Sequence, residues 1–363
     1  MAAPASPTPR GAEEDLRPAV VAVDCNGADR GPAEVAAGAL IAASQGVRVI
    51  LFGPRAALQD AVGQAPGIEV VDAPVSIAKE ADPASAARRT PHASIVQAAR
   101  AIADGRAHAL VCAGGTGAAL AAGLFNIKRS RGIYRPALAL PLPVPGRPVT
   151  LLDVGANVEA RREHLVQFAF MGAALSRTVF GVQRPRVALL SNGEEDMRGS
   201  PLVVETHAEL RERAQGAART LEFVGNVEGD GLVSGAADVV VTDGFTGNIA
   251  LKLMEGVSQT MLGAIRQAAM SSPAGRLGGL LLRGSLGGLR EEIDPEGQGG
   301  AYLLGLRRLG VVPHGRFTRA GFAQAILRAA RGASEDVVGQ TQRTLAAAGA
   351  LREPPASRVR VSS

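Results

Sequence analysis

Four short segments rich in glycine and polar residues follow strand-like runs: Asp153-Val154-Gly155-Ala156-Asn157, Asn192-Gly193-Glu194-Glu195, Gly225-Asn226-Val227-Glu228-Gly229 and Asp243-Gly244-Phe245-Thr246-Gly247-Asn248. Parallel α/β sheets gather their chemistry at strand ends, so these segments read as the rims of a concave polar site in an enzyme. The last is the richest. It offers the Asp243 carboxylate, Thr246, Gly247 and Asn248 at a helix entrance, with Lys252 one turn further along the same face. Lysine is scarce here, confined to positions 79, 128 and 252, so an ammonium near a helix start suits a phosphate or carboxylate counter-charge. The plainer alternative pairs Lys252 with Glu255.

Gly114-Gly115-Thr116-Gly117 is a second candidate. Glycine leaves backbone N–H groups open to an anion, and Thr116 adds a hydroxyl; a simple turn fits the same residues. The segment is neither a Walker loop nor a complete dinucleotide fingerprint, which argues against a dehydrogenase. Asn157 beside Asp153, and Asn226 beside Glu228, each join an amide to an acid, a pattern for orienting a polar ligand or for capping the local backbone. Of five histidines none has zinc-site spacing, and His314, between a strand and Gly315, is the ligand candidate. Cys25 and Cys112 have no metal or redox spacing, and no Gly-x-Ser-x-Gly elbow is present.

Positioning such residues needs strands alternating with helices. Strands are predicted at 19–24, 47–53, 68–71, 109–113, 137–142, 149–153, 187–190, 221–224, 239–243 and 310–313. Helices are predicted at 33–44, 94–104, 116–123, 162–179, 201–215, 247–267 and 320–331. The fold class is α/β, a doubly wound, mostly parallel sheet with helices on both faces. Residues 1–18 are predicted to be a disordered tail, 19–333 the α/β domain with a helical projection at about 256–293, and 334–363 a C-terminal extension with a disordered end. The stretch from Gly275 to Arg290 sets leucines among glycines and arginines, as a packing or dimer contact or as a membrane-touching tip.

The 363 residues, 46% hydrophobic and 20% charged, suffice for a large core, and no run of apolar residues is long enough to span a bilayer. A cytoplasmic protein, soluble or attached to a membrane surface, is predicted. The net charge of +5, with 3% aromatic residues, lacks the basic and aromatic interleaving of a nucleic-acid groove.

Read in order, these motifs resemble the bacterial phosphate acyltransferase family, which transfers acyl groups from acyl-acyl-carrier-protein to phosphate in phospholipid synthesis. The resemblance runs over about residues 20–330. It is carried by Val23-Asp24 through Gly31-Pro32, Ala113 to Ala118, Leu151 to Asn157, His164 to Ala169, Gly193-Glu194-Glu195, Phe223 to Gly229, Asp243 to Asn248, Leu303-Leu304-Gly305 and His314-Gly315. It implies a fold like that of phosphotransacetylases and isocitrate dehydrogenases and no cofactor or metal. Implied partners are acyl carrier protein, inorganic phosphate, a second copy in a homodimer, the membrane near Gly278 to Leu289 and a membrane glycerol-3-phosphate acyltransferase. Lys252, Asn248, Asn157 and Asn226 are the candidate catalytic residues. Gly114, Gly115, Thr116, Gly117, Asp243, Thr246, Gly247, Glu228 and His314 are the candidate phosphate and substrate contacts. The chain departs from the family pattern at Asn26 and Ala28, at Gly115 where asparagine is usual, and at Arg198 where lysine is usual.

Overall fold

Val20–Asp24 is apolar along both of its faces, and in the computed structural model it forms β1, buried throughout. The structure describes residues 19–144, 149–217, 219–292 and 294–352; the predicted tails, 1–18 and 353–363, and part of the 141–148 connection lie outside the described residues. After β1 come α1 (Pro32–Ser44), β2 (Arg48–Gly53), α2 (Arg55–Val62), β3 (Ile68–Asp72), α3 (Pro83–Arg89), α4 (Ser94–Ala103) and β4 (Ala109–Cys112). Next is α5 (Thr116–Ala122), which runs on into a π-helical turn, Gly123–Ile127, followed by β5 (Ala137–Leu142), β6 (Val149–Leu152) and α6 (Arg162–Val179). The later half holds β7 (Arg186–Leu190), α7 (Pro201–Gly216), β8 (Glu222–Val227), α8 (Gly231–Ser234), β9 (Val239–Val241), α9 (Gly244–Met270) and α10 (Pro273–Glu292). It closes with α11 (Pro295–Gln298), β10 (Ala301–Leu304), β11 (Leu309–Val312), α12 (Arg319–Ser334) and α13 (Val337–Ala347).

These strands make one sheet of order β3-β2-β1-β4-β11-β10-β5-β6-β9-β7-β8. Side chains alternate across it with the two-residue strand period. Val21, Val23, Val49, Leu51, Val187 and Leu189 enter one core with α1, α6 and α12. Val20, Ala22, Ile50, Leu110, Leu151 and Val240 enter the other with α4 and α5, and Ala250, Leu251 and Met254 of α9 pack on its margin. Small residues let these layers approach closely: Gly38 of α1 abuts the Arg319 carbonyl and the Phe322 Cβ of α12, each 2.8 Å from where a Cβ would stand.

One topological fact governs the site. β3, β2, β1, β4 and β11 are mutually parallel, and so are β6, β9, β7 and β8. Between the two blocks, β11 to β10, β10 to β5 and β5 to β6 are all antiparallel. Three reversals leave the blocks running in opposite senses, so their carboxyl ends lie at opposite edges of the sheet. The fold class is as predicted from the sequence, but the antiparallel middle was not anticipated.

Several elements also differ from the predicted ones. α2, α3 and α13 were missed, and the Gly275–Arg290 stretch is the continuous helix α10. β8 extends beyond 224 because Gly225, with φ +97, carries a register shift opposite Val187 and Ala188 that allows pairing to continue to Val227. The segment after α12 docks on α6. Gln167, 1% exposed, donates to the carbonyls of Gly132 and Ala350 at 2.8 Å, and Arg352 N–H donates to Gly132 O at 2.8 Å.

A Cβ on Gly247 would collide with the Asp153 carbonyl oxygen, whereas nothing lies within 4 Å of one on Gly216 at the end of α7. Gly247→Ala is expected to cost about 1–3 kcal/mol through overpacking. Gly216→Ala is expected to gain up to about 1 kcal/mol by removing backbone freedom. Urea denaturation of both variants checks the pair.

Candidate active site

The turn that leaves β1 is the hub of the first rim. Gly27, at φ +102, meets Gly114 so closely that its Cβ would lie 2.7 Å from the Gly114 Cα, and one on Gly114 would lie 2.8 Å from the Asn26 carbonyl oxygen. On its other side, Asp29 N–H donates to Gly315 O at 2.8 Å. The exits of β1, β4 and β11 are thereby tied into one continuous edge. A side chain on Gly115 would strike the Ala78 carbonyl, so this backbone takes only glycine there.

The entrance of α5 on this edge has no side-chain cap, and Thr116 and Gly117 are exposed. The N–H groups of a first helical turn have no partner within the helix, so a donor cluster faces solvent here. Charge is supplied nearby. Lys252 Nζ lies 2.9 Å from Glu255 Oε2, and Arg316 approaches the same oxygen at 4.0 Å. Partial burial, then Arg316 and Lys252, lower the His314 pKa and favour its neutral imidazole, although the ring reaches the surface. Arg316 N–H donates to His314 Nδ1 at 3.3 Å, which leaves Nε2 to carry the proton of the neutral ring. Lys252, Glu255, His314 and Arg316 therefore form one electrostatic group beside the turn of Gly27.

The second rim sits at the opposite edge, where β6 and β9 end. Asp153, fully buried, accepts N–H groups from Leu138, Gly155, Ala156 and Asn157 at 2.8–3.2 Å, and the Asn157 side chain donates to it at 2.9 Å. Burial raises its pKa, against the lowering by these hydrogen bonds. Asn157 Nδ2 donates also to Pro136 O at 2.8 Å, so both of its amide protons are spent inside the fold. Asp243 caps α9, accepting Thr246 N–H and Thr246 Oγ1–H at 2.8 Å each. Gly244 N–H donates to Asn157 O at 2.8 Å, and Gly247 lies against Asp153. Asp243, Thr246 and Gly247 thus build the junction between β6 and α9. Asn248, by contrast, is exposed, with no hydrogen bond to its side chain among the described residues.

Asn226 belongs to a third group. His207, buried on α7, donates from Nδ1 to Asn226 Oδ1 at 2.9 Å, and Asn226 Nδ2 donates to Glu195 O at 2.9 Å, pinning the acidic turn after β7. His207 Nε2 stands 3.2 Å from Asp196 Oδ1 without a hydrogen bond between them. Glu228 is exposed beside this turn. Opposite strand directions therefore place Thr116 at the other edge from Asn157 and Asn226, and α9 runs between them, carrying Asn248 against Gly155 and Lys252 toward Arg316. A donor role for Asn157 or Asn226 toward a substrate carbonyl does not agree with their internal bonds. Sequence reasoning missed Asp24, Ser94, His207 and Arg316; of these only Asp24 carried a signal, a carboxylate closing an apolar strand.

Two hollows of about 470 and 490 Å³ lie elsewhere. One beside α4 is lined by His92, Arg100 and Arg106, and one along α7 by Arg162 and Glu209. Their arginines are engaged in ion pairs or backbone contacts, Arg106 with Glu69, Arg162 with Glu209 and Arg100 with Pro91 O, so neither hollow matches the rims. The sequence profile described as "Fatty acid synthesis protein" matches residues 19–340. A phosphate acyltransferase of Anaeromyxobacter dehalogenans is 40% identical over 345 residues, covering 93% of this chain and 94% of that protein. The chain belongs to the phosphate acyltransferase family. Another phosphate acyltransferase, from Latilactobacillus sakei, is 43% identical over 300 residues, 81% of this chain and 88% of its own. In structure the chain is similar to a phosphotransacetylase from Streptococcus pyogenes, with a TM-score of 0.59 at 16% identity, covering 87% of this chain and 94% of that one. That likeness shows the fold. As a member of the phosphate acyltransferase family the protein is an acyltransferase.

Asn157→Ala and Asn226→Ala should each lower stability by about 1–3 kcal/mol, since each strands buried partners. Denaturation midpoints measure this. Loss of turnover at full stability would contradict the scaffold role given to these amides.

Proposed function

We propose that the protein transfers a long-chain acyl group from acyl-[acyl-carrier-protein] to inorganic phosphate, giving acyl phosphate for phospholipid synthesis. The observation that carries this reading is the uncapped glycine entrance of α5, joined through the Asn26–Asp29 turn to His314, Arg316 and Lys252. A phosphate dianion fits such a rim, with Gly114, Gly115, Thr116 and Gly117 donating from the backbone and Lys252 balancing charge. The acyl chain finds apolar surface close by. Leu120, Leu124, Phe125, Leu140, Leu251 and Met254, all half-buried, pack on one core cluster.

Phosphate brings its own nucleophilic oxygen. Attack on the thioester carbonyl forms a C–O bond, the tetrahedral oxyanion collapses, and the C–S bond breaks to release the carrier thiolate, which takes a proton from solvent. No covalent enzyme intermediate is needed. Asn248, with its amide free, is the donor assigned to the oxyanion, one turn or about 6 Å along α9 from Lys252. Asp243, Thr246, Gly247, Asn157, Asn226 and Glu228 support the substrate site through the loops they hold.

The arginine excess suits an acidic carrier protein. Phe245, Ile249, Leu253, Val257, Met261 and Ile265 on α9, with Leu277, Leu281 and Leu282 on α10, are exposed apolar side chains. They support a homodimer contact along α9 and peripheral attachment to the inner face of the cell membrane around Gly278 to Leu289, near a glycerol-3-phosphate acyltransferase that would consume the product. No helix among the described residues is long and apolar enough to cross a membrane.

The test is phosphate-dependent release of carrier thiol with chemical trapping of acyl phosphate. Acetyl-coenzyme A serving as well as a long-chain acyl carrier would overturn the assignment. Asn248→Ala is expected to lower kcat about 10²-fold, a loss of roughly 3 kcal/mol in transition-state stabilisation. Lys252→Ala is expected to raise KM for phosphate about tenfold.

A further inference from the structure

Beneath the first rim lies a buried acid that the proposed chemistry does not use. Asp24, 2% exposed at the end of β1, accepts Ser94 Oγ–H at 2.6 Å, Asn26 N–H at 3.2 Å and the Cys112 thiol at 3.4 Å. Ser94 in turn accepts Asn26 Nδ2–H at 3.0 Å, and the same amide donates to Ala73 O at 2.9 Å. One carboxylate thereby joins β1, β4, the N-terminal turn of α4 and the exit of β3.

We propose that Asp24 is a positioning residue for phosphate binding, acting through Ser94 and Asn26 to hold the Asn26–Asp29 turn against Gly114 and Gly315. This rests on reading that rim as the phosphate site. The energetic argument starts from cost. Burying a carboxylate without a cation costs several kcal/mol, and an apolar side chain would fill the end of β1 without it. What the acid supplies in return is one charged oxygen, Oδ1, that accepts both the Asn26 backbone N–H and the Ser94 hydroxyl and so holds them together. Gly27 and Gly114 touch backbone to backbone, so a small rotation of Asn26 moves the entrance of α5 directly.

The charged and titratable groups facing Asp24 are few. β4 presents Cys112, the strand's own exit presents Cys25, and α4 presents the uncharged Ser94. Burial, followed by the Asp24 charge, pushes both thiols well above their usual range, so both stay neutral. Burial also pushes Asp24 up to about 6, outweighing the Ser94, Asn26 and Cys112 hydrogen bonds. Above that pH the carboxylate accepts from all three donors. Below it, a proton on Oδ2, the oxygen that faces Cys112, leaves Oδ1 as an uncharged and weaker acceptor for Ser94 and Asn26.

The experiment compares wild type, Asp24→Asn, Ser94→Ala and the double variant as intact chains, checking the fold by circular dichroism. Phosphate affinity is read by calorimetry with inorganic phosphate, and KM for phosphate and for the acyl donor by turnover. Asp24→Asn should weaken phosphate binding about tenfold and leave KM for the acyl donor within about twofold. Ser94→Ala should act in the same direction, with the double variant no worse than Asp24→Asn, because the two residues work as one unit. Wild type should also lose phosphate affinity as pH falls through about 6 beyond what Asp24→Asn loses, a difference that removes phosphate's own titration. Unchanged phosphate affinity in the folded Ser94→Ala variant, equal losses for both substrates, or additive effects would overturn the proposal. Should Asp24→Asn fail to fold, the Ser94→Ala result decides. A wild type that binds no phosphate defeats the functional reading itself, whereas wild type and variants binding it equally defeat only the role of Asp24.

Discussion

Two carboxylates buried without cations organise this molecule. Asp24 closes β1 in one parallel block, and Asp153 follows β6 in the other. Each is satisfied entirely by hydrogen-bond donors: hydroxyl, thiol and backbone for Asp24, backbone and amide for Asp153. A buried acceptor that must collect several donors dictates the course of the loops that bring them. The turn of Gly27 and the loop from Gly155 to Asn157 are shaped this way, and the glycines pressed against them, Gly114 in one case and Gly244 and Gly247 in the other, follow from the resulting backbone approach.

The opposed strand directions give each carboxylate its own edge of the sheet. A doubly wound sheet with all strands alike would gather its loops at one edge, whereas the three antiparallel neighbours β10, β5 and β6 divide them. The helix α9 becomes the connecting element, because it starts at the Asp153 edge and runs back along the sheet toward His314 and Arg316. A shared Glu255 holds Lys252 and sits within 4.0 Å of Arg316. The proposed anion-binding groups and oxyanion donor thus meet along one helix and not around one loop cluster.

Much of the secondary structure was legible. Runs such as Val20–Asp24 and Val239–Val241 are apolar on both faces, and buried parallel strands have no other pattern. Pro32 and Pro201 mark helix starts correctly for the reason that their missing N–H is unneeded there. The helices α2, α3 and α13 were not legible, since short alanine- and polar-rich stretches carry little periodicity and are stabilised by docking, as Gln167 shows for the segment after α13. At the site, residue type alone misled for Asn157 and Asn226. An asparagine beside an acid looks the same whether its amide faces a ligand or a carbonyl such as Pro136 O.

Local order along the chain determined the strand and helix alternation, the glycine entrance of α5, the capping of α9 by Asp243 and membership of the phosphate acyltransferase family. All of these depend on neighbours within a few residues or on motifs in fixed sequence order. Tertiary structure alone decided that Arg316 and Glu255 reach Lys252, that His207 holds Asn226, and that Asp24 binds Ser94 seventy positions away. Those contacts arise from strand pairing across the sheet, and no spacing in the sequence encodes which strand will lie beside which or in what direction it will run.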